Sequence, residues 1–382
     1  MYERLAVAAA DLNEDDRRRV LESDVVEKIF RNEIRRFPPC PISTAEPQIT
    51  SIEEAAGDPH AAYLLGMRDA TQAALRHYKS RTVELPPNRR APRAGTSINW
   101  NISMIGVSGP RYGFTGKGVK VAVLDTGIDM RHPDFQDRFV EGVNAVSFVP
   151  GEGPQDANGH GTHCCGIVAG PAQNRLGRRY SVAPRADLLV GKVLGDDGYG
   201  TDDGILDGIA WAEEQGARII SMSLGSERSA GGAYSTPYER IAGNLLLGDP
   251  GVLLVAAAGN GSNRPHWTKA VENPAACPSI MAVAAIDDRK NVAFFSSRKK
   301  DPIGLVDLSA PGVAIVSATT GGGYESLSGT SMATPHVAGV AALNVEKKPE
   351  IAARDLWARL LRSAASLGDS SDYGAGLAVA PR

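Results

Sequence analysis

Short apolar runs alternate with segments of helical spacing from residue 98 to the end of the chain. The apolar runs predict strands at residues 119–124, 188–194, 218–224, 252–258, 280–285 and 305–308. Residues 204–215 and 238–247, in which apolar side chains recur on one face, predict helices between these strands. Strands that are apolar throughout and are separated by helices indicate an α/β fold, in which helices cover both faces of a mostly parallel sheet.

Polar residues stand where three of the predicted strands end. Asp125 comes straight after residues 119–124, and Ser223 and Asn260 lie at the ends of two later strands. Binding and catalytic groups gather at the carboxyl ends of parallel strands. We therefore expect these three side chains to lie near one another.

A serine opens a small-residue, apolar segment near the end of the chain, GTSMATPHVAG at residues 329–339. Pro335 is predicted in the first turn of a buried helix, where a missing N–H costs nothing. Ser331 would then lie at the helix N-terminus, where free N–H groups and the helix dipole favour developing negative charge. This position favours a nucleophile, and a structural serine at a helix start is the alternative.

A serine nucleophile needs a base, and the base needs an acceptor that holds it in place. His160, in NGHGTH at residues 158–163, heads another helix of small residues, and His163 is the alternative base. Asp125 is the candidate acceptor because it directly ends a strand, with Asp129 and Asp134 as alternatives.

The order Asp, His, Ser along the chain is the order found in subtilisin. The segments around Asp125, His160 and Ser331 resemble the three signatures of subtilisin-like serine proteases, the subtilases of peptidase family S8. The resemblance implies a three-layer subtilisin-like fold and a serine endopeptidase that forms an acyl-enzyme on Ser331. It also implies that Asn260 binds the oxyanion. A catalytically silent binding scaffold with this fold is the alternative.

The same resemblance implies two segments that flank an extended polypeptide substrate, namely Ser223, Leu224 and Gly225, and Gly198, Tyr199 and Gly200. Backbone hydrogen bonds would add the substrate to them as a β-strand. Glu272 lies near the expected pocket for the residue before the scissile bond, and acidic residues crowd the second segment: Asp196, Asp197, Asp202 and Asp203. These acids predict a preference for basic substrate side chains, with a solvated acidic loop as the alternative.

The chain divides into three predicted parts. Residues 1–40 predict a strand, a helix and a strand, and resemble the second half of an inhibitory prodomain. This resemblance implies a zymogen inhibited by its own N-terminal segment, whereas an unrelated N-terminal cap is the alternative. Residues 41–97 change from helical spacing to prolines and arginines, which predicts a linker. Residues 98–382 form the predicted catalytic domain.

The chemistry implied by the resemblance requires no cofactor. Many relatives place a calcium-binding carboxylate at the position of Asp134. The partner loop at residues 172–180 carries Arg175, Arg178 and Arg179 and no acid, which is unfavourable beside a divalent cation. Structural calcium at Asp134 is therefore left open as a doubtful site.

Composition adds a few exclusions. The 382 residues carry a net charge of −3, which does not suggest a nucleic-acid partner, and no apolar segment predicts a membrane span. The four cysteines, Cys40, Cys164, Cys165 and Cys277, do not make a disulfide framework. The resemblance implies that Cys164 is a free thiol near the active site, and a small buried apolar residue is the alternative reading.

Residues 1–4 do not begin a signal peptide, which predicts a cytoplasmic protein if Met1 is the true start and a secreted one if the start is incomplete.

Overall fold

The computed structural model describes residues 34–36, 97–107 and 112–382, which belong to one compact unit. The strand and helix predicted for residues 1–33 and the linker at residues 41–96 lie outside the described residues. Residues 34–36 are described by their backbone alone.

The strands are β1 (Ile34–Arg36), β2 (Ser97–Ile98), β3 (Lys120–Asp125), β4 (Ala145–Ser147), β5 (Arg178–Arg179), β6 (Asp187–Lys192), β7 (Tyr199–Thr201), β8 (Ile219–Met222), β9 (Leu253–Ala257), β10 (Met281–Ile286), β11 (Leu308–Pro311), β12 (Ile315–Thr319) and β13 (Gly323–Leu327). The helices are α1 (Trp100–Met104), α2 (His160–Ala169), α3 (Asp202–Glu214), α4 (Thr236–Leu247), α5 (Thr330–Lys347), α6 (Ala353–Ser363) and α7 (Ser370–Tyr373). No helix in the described part of the chain has the length and apolar character that a membrane crossing requires.

A seven-stranded sheet in the order β11-β10-β9-β8-β3-β6-β4 forms the centre of the molecule, and all its neighbouring strands are parallel. All six predicted strands are present in it, although the last is shifted to Leu308–Pro311. Leu305 is 45% exposed, so the apolar run at residues 305–308 does not mark a buried strand from its first residue. No pattern in the sequence predicts β4, because three residues of which only Ala145 is buried leave no apolar run.

Side chains of β3 alternate between two apolar layers, one on each face of the sheet. Val121 and Val123 belong to the core that contains α2 and α5. Ala122 and Leu124 belong to the core that contains α3 and α4. The predicted α/β fold, with helices on both faces of a parallel sheet, is therefore confirmed.

The buried helix α5 begins at Thr330, and this placement corrects the prediction for Pro335. Pro335 lies in the helix interior and not in its first turn. A proline there cannot donate a hydrogen bond to the carbonyl four residues earlier, which is that of Ser331. The Ser223 hydroxyl donates to this carbonyl oxygen at 2.7 Å, and the Cys164 Sγ lies 3.6 Å from it. Side chains from other elements thus replace the missing backbone bond.

Candidate active site

An acid and an imidazole meet where β3 ends and α2 begins. Asp125 is the last residue of β3, and His160 is the first residue of α2. The His160 Nδ1 lies 2.7 Å from the Asp125 Oδ1, and both side chains are buried. The Thr126 amide donates to the same oxygen at 2.8 Å. This contact holds the Nδ1 proton of His160 toward Asp125 and leaves Nε2 available as a base.

Asp156 fixes the start of α2, and it was not among the predicted site residues. Its Oδ1 accepts hydrogen bonds from the Gly159 amide at 2.9 Å and from the Thr126 hydroxyl at 3.0 Å. Its Oδ2 accepts from the Thr162 amide at 2.9 Å and from the Thr162 hydroxyl at 2.6 Å. A carboxylate at this position satisfies amides that have no partner inside the helix. An acid four residues before His160 was the available sequence signal.

Gly161 allows α2 to lie against the turn that follows Asp125. A Cβ atom on Gly161 would lie 2.3 Å from the carbonyl oxygen of Gly127. Because any side chain would clash with this backbone, the glycine after His160 is required for the close approach of the base and the acid.

Ser331 is the second residue of α5, and its hydroxyl faces Ser223. The Ser331 Oγ donates to the Ser223 carbonyl oxygen at 3.3 Å. The His160 Nε2 is buried and has no hydrogen-bond partner among residues 97–107 and 112–382. Catalytic hydrogen bonds often form only when substrate is bound. In this conformation the Ser331 hydroxyl therefore bonds to Ser223 and not to His160.

Asn260 lies three residues beyond the end of β9, and α5 holds its carboxamide in one orientation. Its Oδ1 accepts from the Thr330 amide at 2.8 Å and from the Thr330 hydroxyl at 2.9 Å. Since the oxygen is occupied by two donors, the Nδ2 group remains for a ligand. The amide of Ser331, in the first turn of α5, has no acceptor within the helix and is the second available donor.

The environment of His160 favours its charged form. Burial opposes the imidazolium, but the Asp125 carboxylate, which faces the ring and accepts its hydrogen bond, outweighs burial and raises the pKa of His160 well above its ordinary value. Burial raises the pKa of the Cys164 thiol, so this thiol is neutral near pH 7. Asp125 is therefore the negative charge that acts on the imidazole.

The alternative acids and the alternative base lie in other contacts. His163 Nε2 bonds to the carbonyl oxygens of Ile315 at 3.0 Å and Glu325 at 3.2 Å, and burial lowers the pKa of His163 to about 3. Asp129 accepts from the amides of Arg131 and Gly321, both at 3.0 Å. Neither His163 nor Asp129 belongs to the buried acid and imidazole pair of Asp125 and His160.

The two predicted substrate segments follow the strands that flank β3 in the sheet, β6 and β8. Tyr199 and Gly200 form part of β7, which is paired antiparallel with β1. Ser223, Leu224 and Gly225 directly follow β8. The pairing of β7 demonstrates that its edge accepts an antiparallel strand. Gly198 precedes β7 in a turn, with its amide donating to the Gly195 carbonyl at 2.8 Å.

Most of the acids near β7 make contacts inside the protein. Asp196 lies 2.6 Å from the buried Nζ of Lys192. Asp197 accepts from the Tyr199 amide at 2.9 Å, and Asp203 accepts from the Gly204 amide at 2.9 Å. Asp202 accepts from the Tyr238 hydroxyl at 2.9 Å. These contacts leave Glu272 as the acid to consider for substrate selection.

Asp134 contacts a cluster of aromatic side chains that includes Tyr180, Tyr324 and His132. Its Oδ2 accepts from the hydroxyls of Tyr180 at 2.6 Å and Tyr324 at 2.9 Å. Burial raises the pKa of Tyr324 to about 12 and that of Tyr180 still further, so both phenols are neutral donors. The guanidinium of Arg175 lies 5.6 Å from the centre of the Tyr324 ring. Two donated protons and a nearby cation do not fit a divalent ion at this oxygen.

In the described residues, one group of three side chains has ligand atoms close enough together to hold a metal ion. These are Asp125, His160 and Cys164, whose ligand atoms lie within 4.8 Å of one another. The Cys164 Sγ is 4.0 Å from the His160 Nδ1, which already faces Asp125. The group therefore coincides with the acid and base pair, and Asp134 does not belong to it.

Comparisons with known proteins agree with this geometry. The model of the Subtilase family matches residues 116–376. Subtilisin BL of Lederbergia lenta is 41% identical over 283 residues, which are 74% of this chain and 96% of that protein. Subtilisin DY of Bacillus licheniformis is 42% identical over 267 residues, which are 69% of this chain and 90% of that protein. Among solved structures, sphericase matches with a TM-score of 0.62 and 32% identity, covering 75% of this chain and 99% of that one.

Proposed function

We propose roles for individual side chains on the premise that this chain belongs to the subtilase family and is a serine endopeptidase acting on polypeptides. Ser331 is the nucleophile, and His160 is the general base. Asp125 orients the His160 ring and stabilises its imidazolium form. Asn260 and the Ser331 amide bind the oxyanion. The observation that carries this assignment is the buried contact of 2.7 Å between His160 Nδ1 and Asp125 Oδ1 beside the N-terminus of α5.

The reaction proceeds by acyl transfer. As the Ser331 Oγ attacks the scissile carbonyl carbon, its proton moves to His160 Nε2, and the carbonyl oxygen becomes negative. The Asn260 Nδ2 and the Ser331 amide donate hydrogen bonds to this oxygen. The imidazolium, stabilised by Asp125, then gives its proton to the departing amine. A water molecule, deprotonated by His160, attacks the acyl-enzyme and releases the second product.

A fluorophosphonate probe tests the assignment. We expect the probe to label the wild-type protein and to fail with Ser331→Ala, because the serine Oγ is the group that reacts. Ser328→Ala is the matched control, since Ser328 accepts a hydrogen bond from the Ala314 amide and lies outside the proposed machinery. Equal labelling of Ser331→Ala and wild type would refute the assignment, and absence of labelling in both would favour a silent scaffold.

We further propose that the N-terminal segment covers the substrate edge. Ile34 pairs with Thr201, Arg35 with Gly200 and Arg36 with Tyr199, so β1 pairs with the strand to which we expect a substrate strand to add. A synthetic peptide of residues 30–40 is expected to raise the apparent KM for a peptide substrate without changing kcat. A peptide that does not inhibit, or that lowers kcat alone, would argue against this role.

Calcium at Asp134 is not part of the proposal. The hydrolytic steps use only side chains and amides of the chain itself, and the Asp134 Oδ2 is committed to Tyr180 and Tyr324. We infer that Asp134 has a structural role as the acceptor of two phenol protons.

A further inference from the structure

Glu272 is an acid beside the triad that the proposed mechanism leaves unused. Its amide donates to the Ala258 carbonyl at 3.0 Å, and Asn273 exchanges backbone hydrogen bonds of 2.7 and 3.1 Å with Ser226. Residues 272–273 therefore connect the segment that carries Asn260 with the segment that contains Ser223. Both of these segments contact the start of α5, through Thr330 and Ser331 respectively.

Glycines form the walls of the space that the Glu272 carboxylate enters. A Cβ atom on Gly259 would lie 2.4 Å from the Glu272 Oε1, and one on Gly225 would lie 3.0 Å from Oε2. The carboxylate thus lies against the backbone of both glycines, in a slot between the two segments that a larger residue at either glycine would obstruct. Glu272 itself is only partly buried. A substrate strand whose carbonyl is held by Asn260 and attacked by Ser331 would direct its adjacent side chain into this slot.

Several charged and polar groups face Glu272. Burial raises the pKa of its carboxyl to about 7, and the Glu227 carboxylate adds to the rise, whereas the amides of Asn260 and Gly261 and the Lys269 ammonium oppose it. Lys269 is paired with Glu227. No ion pair joins Glu272 to a basic side chain within the part of the chain that the structure describes. An ionised Glu272 carboxylate therefore has two amide donors but no cationic partner among the described residues.

We propose that Glu272 selects a lysine or arginine side chain at the substrate residue before the scissile bond. This proposal rests on the proposed function, because it places the slot by reference to Ser331 and Asn260. A substrate cation would supply an ion-pair partner that the described residues do not provide, whereas an apolar side chain would cover the charge without pairing it. The preference should increase with pH as Glu272 ionises.

The test compares kcat/KM for four peptides that differ only in having Arg, Lys, Leu or Ala before the scissile bond. We expect wild type to prefer Arg and Lys, and Glu272→Gln to lower the Arg to Leu ratio by roughly 10- to 100-fold, the value of a hydrogen bond to a charged group. Glu227→Gln is the matched control, because Glu227 is 66% exposed and lies beside the slot, and its ratio should stay within about threefold of wild type.

A second measurement needs no variant. The Arg to Leu ratio of the wild-type protein should rise between pH 6 and pH 8, around the pKa of about 7 of Glu272. Equal or better cleavage after Leu or Ala by wild type at pH 8, or a ratio that is unchanged in Glu272→Gln, would overturn the proposal. Fluorophosphonate labelling of Ser331 is followed in parallel. Intact labelling with no basic preference refutes the role of Glu272 alone, whereas loss of labelling in wild type refutes the proposed function.

Discussion

Asp125 and Asp134 are two acids in the same domain whose surroundings differ in one respect. Asp125 is fully buried, and its Oδ1 faces an imidazole and an amide, while its Oδ2 has no hydrogen-bond partner among the described residues. Asp134 is satisfied by two phenol hydroxyls, and a guanidinium lies near one of these rings. One carboxylate faces a group that gains and loses a proton, and the other faces groups that do not.

This difference separates a carboxylate that can act in chemistry from one that stabilises structure. The charge of Asp125 changes the pKa of a base, so removing it should affect the reaction. The charge of Asp134 is balanced by neutral donors, Tyr180, which directly follows β5, and Tyr324, in the hairpin of β12 and β13. Removing it should affect stability.

The largest expected effect is that of Asp125→Asn. We expect kcat/KM to fall by about 10⁴-fold, the size found when the triad acid of a serine protease is replaced. The base acts only when neutral, and Asp125 raises the pKa of His160, so the rising limb of the pH profile should also move to lower pH in the variant. Steady-state kinetics between pH 5 and 10 measure both the fall in kcat/KM and the shift of the pH profile. Asp129→Asn is the control, and an equal loss in that variant would mean that the wrong acid has been assigned.

A smaller loss is expected for Asn260→Ala. Removal of one oxyanion donor should lower kcat by about 10²- to 10³-fold with little change in KM, a magnitude measured in subtilisin itself. Asn263→Ala serves as the control because Asn263 bonds to Trp267 through its backbone. A rise in KM with kcat unchanged would indicate that Asn260 binds the ground state of the substrate and does not stabilise the oxyanion.

The smallest effect on activity is expected at Asp134. Asp134→Asn should leave kcat/KM close to wild type and lower the free energy of unfolding by about 1–3 kcal/mol, because the phenols of buried Tyr180 and partly buried Tyr324 would lose a charged acceptor. Urea unfolding followed by fluorescence measures this change, and Tyr324→Phe should reproduce a part of it. A hundredfold loss of activity without a loss of stability would end the distinction between the two acids.

The predictable part of the site consists of residues that carry local signals. Asp125, His160 and Ser331 stand at the ends of apolar strands or at the heads of small-residue helices, so short segments were enough to mark them. Asp156 was missed because its partners, which include Thr126, are brought to it by the packing of α2 against the end of β3.

Contacts between distant segments explain the remaining differences. Tyr324 is 190 residues from Asp134 in the chain, and no local pattern indicates that they meet. Pro335 was placed in a first turn because a proline inside a helix is costly by local rules. The Ser223 hydroxyl, 108 residues away from Ser331, provides the bond that makes this proline acceptable. The parallel sheet was predictable since its strands are continuous apolar runs, with β4 as the exception.

Trapping the acyl-enzyme tests the assignment of the nucleophile most directly. The wild-type protein would be mixed with a p-nitrophenyl ester, quenched in acid during turnover and digested for peptide mass spectrometry. We expect a single acyl group on Ser331 and none in His160→Ala. An acyl group on Cys164, whose Sγ lies 3.6 Å from the Ser331 carbonyl oxygen, or on any residue other than Ser331, would contradict the proposed mechanism.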